Sequence, residues 1–143
     1  MNVAAILKGK GRAVATTRPD ASMQSVIEKL SAKKIGAIVV VGGNGAVAGI
    51  ISERDMIRAI AEQGPECLSL PVSDFMTRQV VSCGEGDTLD QLMATMTAQR
   101  FRHMPVIEDD ALVGIVSIGD VVKHHIAEVE MEASALRTYL VAG

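Results

Sequence analysis

The chain has no tryptophan, two phenylalanines and one tyrosine among its 143 residues. Aromatic platforms for stacking bases are therefore scarce. Val, Ile, Leu, Met and Ala must fill the interior, and an apolar content of 48% supplies them. A basic surplus is also missing, since 14 Lys and Arg face 17 Asp and Glu for a formal charge of −3. Such a balance creates no field that gathers DNA or RNA, so nucleic acid is not an expected partner. The two cysteines, Cys67 and Cys83, lack CxxC spacing and read as packed thiols rather than metal ligands or a disulfide. No apolar run reaches the ~18 residues of a membrane span. Met1 to Leu7 lacks the charged-then-apolar order of a signal peptide. A soluble cytoplasmic protein is the expectation, with no membrane partner.

Nucleophile and phosphate-loop signatures are absent as well. There is no G-x-S-x-G, no G-x-x-x-x-G-K-[ST] and no recognisable Cys–His spacing. Gly9-Lys10-Gly11 is too short to count as a phosphate-binding fingerprint. No enzyme and no catalytic cofactor are expected.

What is present is an internal repeat. Gly49-Ile50-Ile51-Ser52-Glu53-Arg54-Asp55 returns as Gly114-Ile115-Val116-Ser117-Ile118-Gly119-Asp120. Both copies read G-h-h-S-x-x-D, where h is apolar, at the point where a strand would run into a helix. Upstream, Met23, Val26, Ile27 and Leu30 have the spacing of one buried helix face. Leu89, Leu92, Met93 and Met96 repeat that face 66 positions later. Ser22 and Thr88 stand before these helices as N-caps, and Thr88 with Gln91 forms a capping box. Ile38–Val41 matches Met104–Ile107 as a strand, and Val47–Ile51 matches Leu112–Val116 as its hairpin partner. The turns between them are Gly42-Gly43-Asn44-Gly45 and the acidic Glu108-Asp109-Asp110, the latter read as a solvated turn. Across the turn the offset falls to 65, one residue lost where a loop tolerates it.

Each repeat therefore reads helix–strand–strand–helix. The expected fold class is α+β, an α/β-type sandwich of two pseudo-symmetric repeats. Each repeat is a small sheet packed with helices that cannot bury both faces alone. Expected boundaries are 3–63 for the first repeat, 64–71 for a linker and 72–126 for the second repeat. Residues 127–143 form a C-terminal helix and tail. Val3–Leu7 and Val72–Met76 read as corresponding lead-in turns. In the tail, Val129, Ala133, Leu136 and Leu140 form a stripe expected to pack on the module or on a dimer mate.

The chemistry of the duplicated motif suits an anion and a sugar. A carboxylate such as Asp55 or Asp120 can accept two hydrogen bonds from vicinal ribose hydroxyls. Ser52 and Ser117 sit where the N–H groups of a helix start favour phosphate. Arg54 adds a forked cation in the first copy, where the second has Gly119. Arg100 and Arg102, alternating as on a strand, would share one face. The bland alternative is that the serines are only N-caps and the aspartates first-turn acids.

On these residues the chain resembles a tandem pair of CBS (cystathionine-β-synthase) domains, a Bateman module of the small stand-alone bacterial type. Arg102-His103-Met104-Pro105-Val106 also resembles that family's basic-pair-then-h-P-V element. The resemblance implies two clefts that bind AMP, ATP, NAD(H) or related adenosine ligands, each drawing on both repeats. By matching positions, the Asp120 cleft includes Ile115, Ser117, Val14 or Ala15, Ile35, Gly36 and Arg102, with His103 towards the phosphate. The Asp55 cleft includes Ile50, Ser52, Arg54, Thr77, Val81 and Phe101. Backbone near Val14 and Val81 would read the adenine edge. Because the counterparts of Arg102 and His103 are Gly36 and Ala37, the Asp120 cleft is expected to be the tighter. The resemblance also implies a homodimer through the CBS pairs and a regulated protein partner that the sequence does not name. The competing readings are a structural dimerisation module with empty clefts and a nucleotide-processing enzyme.

Overall fold

The computed structural model of the chain describes residues 1–142. In chain order the elements are α1 (Val3–Lys10), β1 (Thr16–Thr17), α2 (Met23–Lys33), β2 (Ala37–Val41), β3 (Val47–Ser52) and α3 (Glu53–Gln63). Two 3-10 turns follow, Pro65–Ser69 and Val72–Asp74. The second half contains α4 (Leu89–Gln99), β4 (His103–Glu108), β5 (Ala111–Ser117) and α5 (Ile118–Ala142). The mixed class and the small helix-packed sheets are those expected.

The residues group into two compact units that do not follow chain order. Unit one takes Met1–Arg12, Ser82–Glu108 and the segment from Gly114 onward, and unit two takes Ala13–Val81 with Asp109–Val113. In unit one, α1 docks beside the second repeat: Val3 and Ala4 donate backbone hydrogen bonds to Asp87 and Glu85. Val3, Ile6 and Leu7 are buried there. In unit two, the 3-10 turn at Val72 docks beside the first repeat, with Val72 N–H on the Ala21 carbonyl and Ser73 N–H on that of Pro19. Each lead-in segment thus sits with the repeat that it does not precede. Residues 64–71, expected as a plain linker, include a 3-10 turn whose Cys67 is fully buried in the core of unit two.

In unit two, β1, β2 and β3 form a sheet in that order, β1 parallel to β2 and β2 antiparallel to β3. Ile38, Val39, Val40 and Ile51 are fully buried, and Met23, Val26 and Leu30 of α2 close one face, as the helical spacing requires. β4 and β5 form the second sheet. Its counterpart of the β1–β2 pairing is a single parallel bridge between Cys83 and Val106. The residue lost between repeats is accounted for here. In the first copy the strand register shifts between Val40 and Val41, next to a turn closed by Gly45 at positive φ. In the second copy Asp109 and Asp110 both adopt positive φ, the geometry of a tight two-residue hairpin turn. Glu108 is more than a solvated turn residue, because its Oε1 accepts the Glu85 backbone N–H at 2.6 Å.

The tail helix is continuous with the helix that starts at Ser117, so α5 is a single helix of 25 residues. Its stripe does not pack on the chain's own core: Val129, Leu136 and Leu140 are 48%, 58% and 67% exposed. Among the described residues, no helix is long and apolar enough to cross a membrane.

Candidate functional site

Each G-h-h-S-x-x-D copy folds as a strand that turns sharply into a helix. The leading glycine is required sterically. A Cβ on Gly49 would lie 2.7 Å from both the Met76 Sδ and the Thr77 carbonyl oxygen. At Gly114 it would lie 2.7 Å from a Leu7 methyl. These are the points where the lead-in segment of each unit crosses the motif, so the glycine admits that crossing. The residue after it then lines the corner: Ile50 and Ile115 are both half-buried.

Both corners repeat the same hydrogen bonds. Ser52 N–H donates to Asp55 Oδ2 at 2.9 Å, and Ser117 N–H donates to Asp120 Oδ2 at 2.9 Å. In return Asp55 N–H reaches Ser52 Oγ at 3.4 Å, and Asp120 N–H reaches Ser117 Oγ at 3.1 Å. The serines therefore do act as N-caps and the aspartates close capping boxes. The first helical N–H is also engaged, from Glu53 to the Gly36 carbonyl and from Ile118 to the Arg102 carbonyl. This corrects the expectation of a helix tip with its amides held open for phosphate. Two of the amides at each tip are used to fix the corner itself.

The surroundings of the carboxylates differ. In unit one, Lys10 at the end of α1 places its ammonium 2.7 Å from Asp120 Oδ2 and 2.9 Å from the Ile115 carbonyl oxygen. Burial pushes the Asp120 carboxyl up, but the hydrogen bond from Lys10, the Ser117 N–H and the Lys10 charge outweigh it. The group accordingly titrates below its ordinary value of 3.8. In unit two, the equivalent carbonyl of Ile50 accepts the Thr77 backbone N–H at 2.9 Å, and Ile50 N–H returns to the Thr77 carbonyl at 3.0 Å. Asp55 Oδ1 has Arg58 at 3.7 Å, one turn along α3.

Unit two holds Ile50, Ser52, Arg54, Asp55, Thr77 and Val81 of the expected Asp55 set, and also Val14, Ala15, Ile35 and Gly36. Unit one holds Ile115, Ser117, Asp120, Arg102, His103 and Phe101. Within unit two the structure joins Ile50 to Thr77 and Ser52 to Asp55. Within unit one it joins Ser117 to Asp120 and ties Arg102 to the start of α5 through its carbonyl. His103 begins β4, half-buried, while Arg54 and Arg102 are exposed. Arg100 does not share a strand face with Arg102. It is the left-handed C-cap of α4 at φ 58°, as Lys34 is for α2 at φ 54°, and β4 begins only at His103. Lys10 is the site residue that sequence reasoning missed.

The pattern of the CBS domain matches residues 11–62 and 72–126 of this chain. A CBS domain-containing protein of Arabidopsis thaliana, CBSX3, mitochondrial, is 35% identical over 96% of this chain and 71% of its own length. The crystal structure of the CBS-domain containing protein ATU1752 from Agrobacterium tumefaciens superposes with a TM-score of 0.84 at 50% identity. It covers 85% of this chain and 91% of that one. The CBS domain pair of protein MJ0100, solved in complex with methylthioadenosine and S-adenosyl-L-methionine, gives a TM-score of 0.79 at 23% identity. It covers 90% of this chain and 98% of that one, a likeness of fold.

Proposed function

The chain belongs to the CBS-domain family, and from that premise we propose that it is a non-catalytic regulatory module binding an adenosine-containing ligand at its Ser–Asp corners. One observation carries the reading. Two half-buried carboxylates, Asp55 and Asp120, are held by the same serine hydrogen bonds at the same 2.9 Å, in two copies of one motif. A carboxylate fixed in that way is set to accept from vicinal ribose hydroxyls without first being ordered, which lowers the entropic cost of binding. The ligand complex of the MJ0100 domain pair is consistent with an adenosine class.

AMP, ATP or NAD(H) is the favoured ligand. Arg54 beside the Asp55 corner, and Arg102 with His103 beside the Asp120 corner, favour a phosphate over uncharged adenosine. In unit one the ribose competes with Lys10 for Asp120 Oδ2, and the displaced ammonium becomes a further cation for phosphate. The Asp120 corner is the tighter of the two. Val14, Ala15, Ile35 and Gly36, and separately Thr77, Val81 and Phe101, belong to the proposed ligand contacts by their match to the family pattern. The protein works as a homodimer and passes ligand occupancy to a separate protein. Ligand that binds only one arrangement of the module stabilises that arrangement by RT ln(1 + [L]/Kd).

Native mass spectrometry of gently purified protein tests the reading. The expected spectrum contains a mass increment of an adenosine-containing ligand that the Asp55→Ala, Asp120→Ala double variant lacks. Bare chain throughout, with no rise in Tm on adding any adenine nucleotide, would leave the module structural only.

A further inference from the structure

The family pattern stops at residue 126, but α5 continues unbroken to Ala142. Along it, Val122, Ile126, Val129, Ala133, Leu136 and Leu140 recur at alternating spacings of four and three. This is the a/d repeat of a coiled coil, with Ile126, Ala133 and Leu140 at a and Val122, Val129 and Leu136 at d. The five larger side chains of this seam are 40% to 67% exposed. The helix is seated in unit one by other positions: Val121 is fully buried, His125 lies 3.9 Å from Asp90, and Glu128 meets the N-terminal ammonium. The seam is thus a separate face from the one that docks.

We propose that this seam pairs with the same seam of a second copy of the chain, as a parallel, in-register two-stranded coiled coil. The flanking charges choose both occupant and direction. In a parallel pair a g residue faces the e residue five positions on in its mate. Glu132 at g then meets Arg137 at e of the second copy, and twofold symmetry makes the contact twice. An antiparallel pair that overlaps all six seam residues would instead set Lys123 against Arg137 and Glu130 against Glu130 along one edge and Glu132 against Glu132 along the other, like against like. A register shifted by one heptad brings Glu130 to Arg137 only by leaving Val122 and Ile126 of each copy unpaired. Opposite charges at these positions select the partner and orientation in which they meet. The homodimer in this inference rests on the functional reading above, whereas the assignment to α5 rests only on the seam and its charges.

Light scattering of the full chain, with sedimentation equilibrium, reads the association. Wild type is expected to be a dimer at micromolar concentration. Leu136→Glu, whose side chain is exposed in the single chain, is expected to weaken dimerisation at least ~10-fold, about 1.4 kcal/mol, with unchanged circular dichroism. Glu132→Arg should weaken it less, and Glu132→Arg with Arg137→Glu should restore it. Leu136→Cys should oxidise to a covalent dimer, because in a parallel coil the two d positions face each other and the native Cys67 and Cys83 are buried. A wild-type monomer overturns both the homodimer and the coil. A dimer indifferent to Leu136→Glu overturns the coil and leaves the homodimer standing. Failure of Leu136→Cys to cross-link, or failure of the charge exchange to restore association, overturns the parallel pairing. A seam that stays monomeric alone and binds only another protein also overturns it.

Discussion

The Asp55 and Asp120 corners share a motif and a hydrogen-bond pattern, yet their carboxylates meet different neighbours. Asp55 has a cation from its own helix, Arg58, at 3.7 Å with a largely exposed side chain. Asp120 has Lys10, 110 residues away in sequence, at 2.7 Å. The carbonyl two residues before each serine tells the same story, since that of Ile50 accepts a backbone amide and that of Ile115 accepts the Lys10 ammonium. The G-h-h-S-x-x-D residues build the corner, and the lead-in segment sets its charge. In unit two that segment is a three-residue 3-10 turn running into Thr77, whereas in unit one it is an eight-residue helix ending in Lys10.

The largest effect that can break this comparison lies at the two glycines. A methyl at Gly49 meets the Thr77 backbone carbonyl oxygen as well as the Met76 sulfur, and the carbonyl cannot yield without moving the chain. At Gly114 it meets only the Leu7 side chain, whose methyls lie 2.7 and 2.9 Å away, so a buried side chain rather than the backbone has to shift. Gly49→Ala should therefore cost about 2–3 kcal/mol and Gly114→Ala about 1 kcal/mol, read by urea unfolding. Equal losses would mean that the two crossings are alike after all. A smaller effect is expected at the caps, where Ser52→Ala and Ser117→Ala should each cost about 1 kcal/mol, because the cap hydrogen bonds repeat.

Smaller still in stability, but sharper in meaning, is Lys10→Met. Lys10 holds the Asp120 carboxyl below its ordinary value of 3.8. A carboxyl lowered in the folded state contributes stability that is present above its unfolded value and lost as pH falls through the folded one. Wild type should keep this contribution down to pH ~4 and lose it below. Lys10→Met should move the Asp120 titration upward, read from its side-chain carboxyl carbon by NMR, while Arg58→Met should leave Asp120 where it is. The same Lys10→Met variant should reduce the preference for AMP over adenosine. The smallest response is expected from Cys83, whose thiol burial and the nearby Asp87 and Glu108 push up to about 12. It stays protonated at neutral pH and should resist thiol reagents until the chain unfolds.

Much of this architecture can be read from local pattern. The helical faces at Met23–Leu30 and Leu89–Met96, the caps at Ser22 and Thr88, and the paired strands are short-range features. Periodicity and capping chemistry report on such features directly. The exchange of lead-in segments is not local. Nothing in residues 3–10 states that Val3 bonds to Asp87, so Lys10 could not be seen to reach Asp120. β1 escapes notice because two threonines make no period, and its strand exists only through pairing with β2. Arg100 misleads because alternation implies a strand, whereas the helix end preceding it takes a left-handed cap. The duplicated serine and aspartate were legible as a corner, but not the occupation of their helix amides by Gly36 and Arg102.

Isothermal calorimetry with AMP on wild type, Asp55→Ala, Asp120→Ala and the double variant bears on the adenosine-binding claim without intermediaries. A saturable heat is predicted for wild type, a larger loss of affinity for Asp120→Ala than for Asp55→Ala, and no binding heat for the double variant. No heat with wild type, or undiminished binding in the double variant, would contradict a ribose held by these carboxylates.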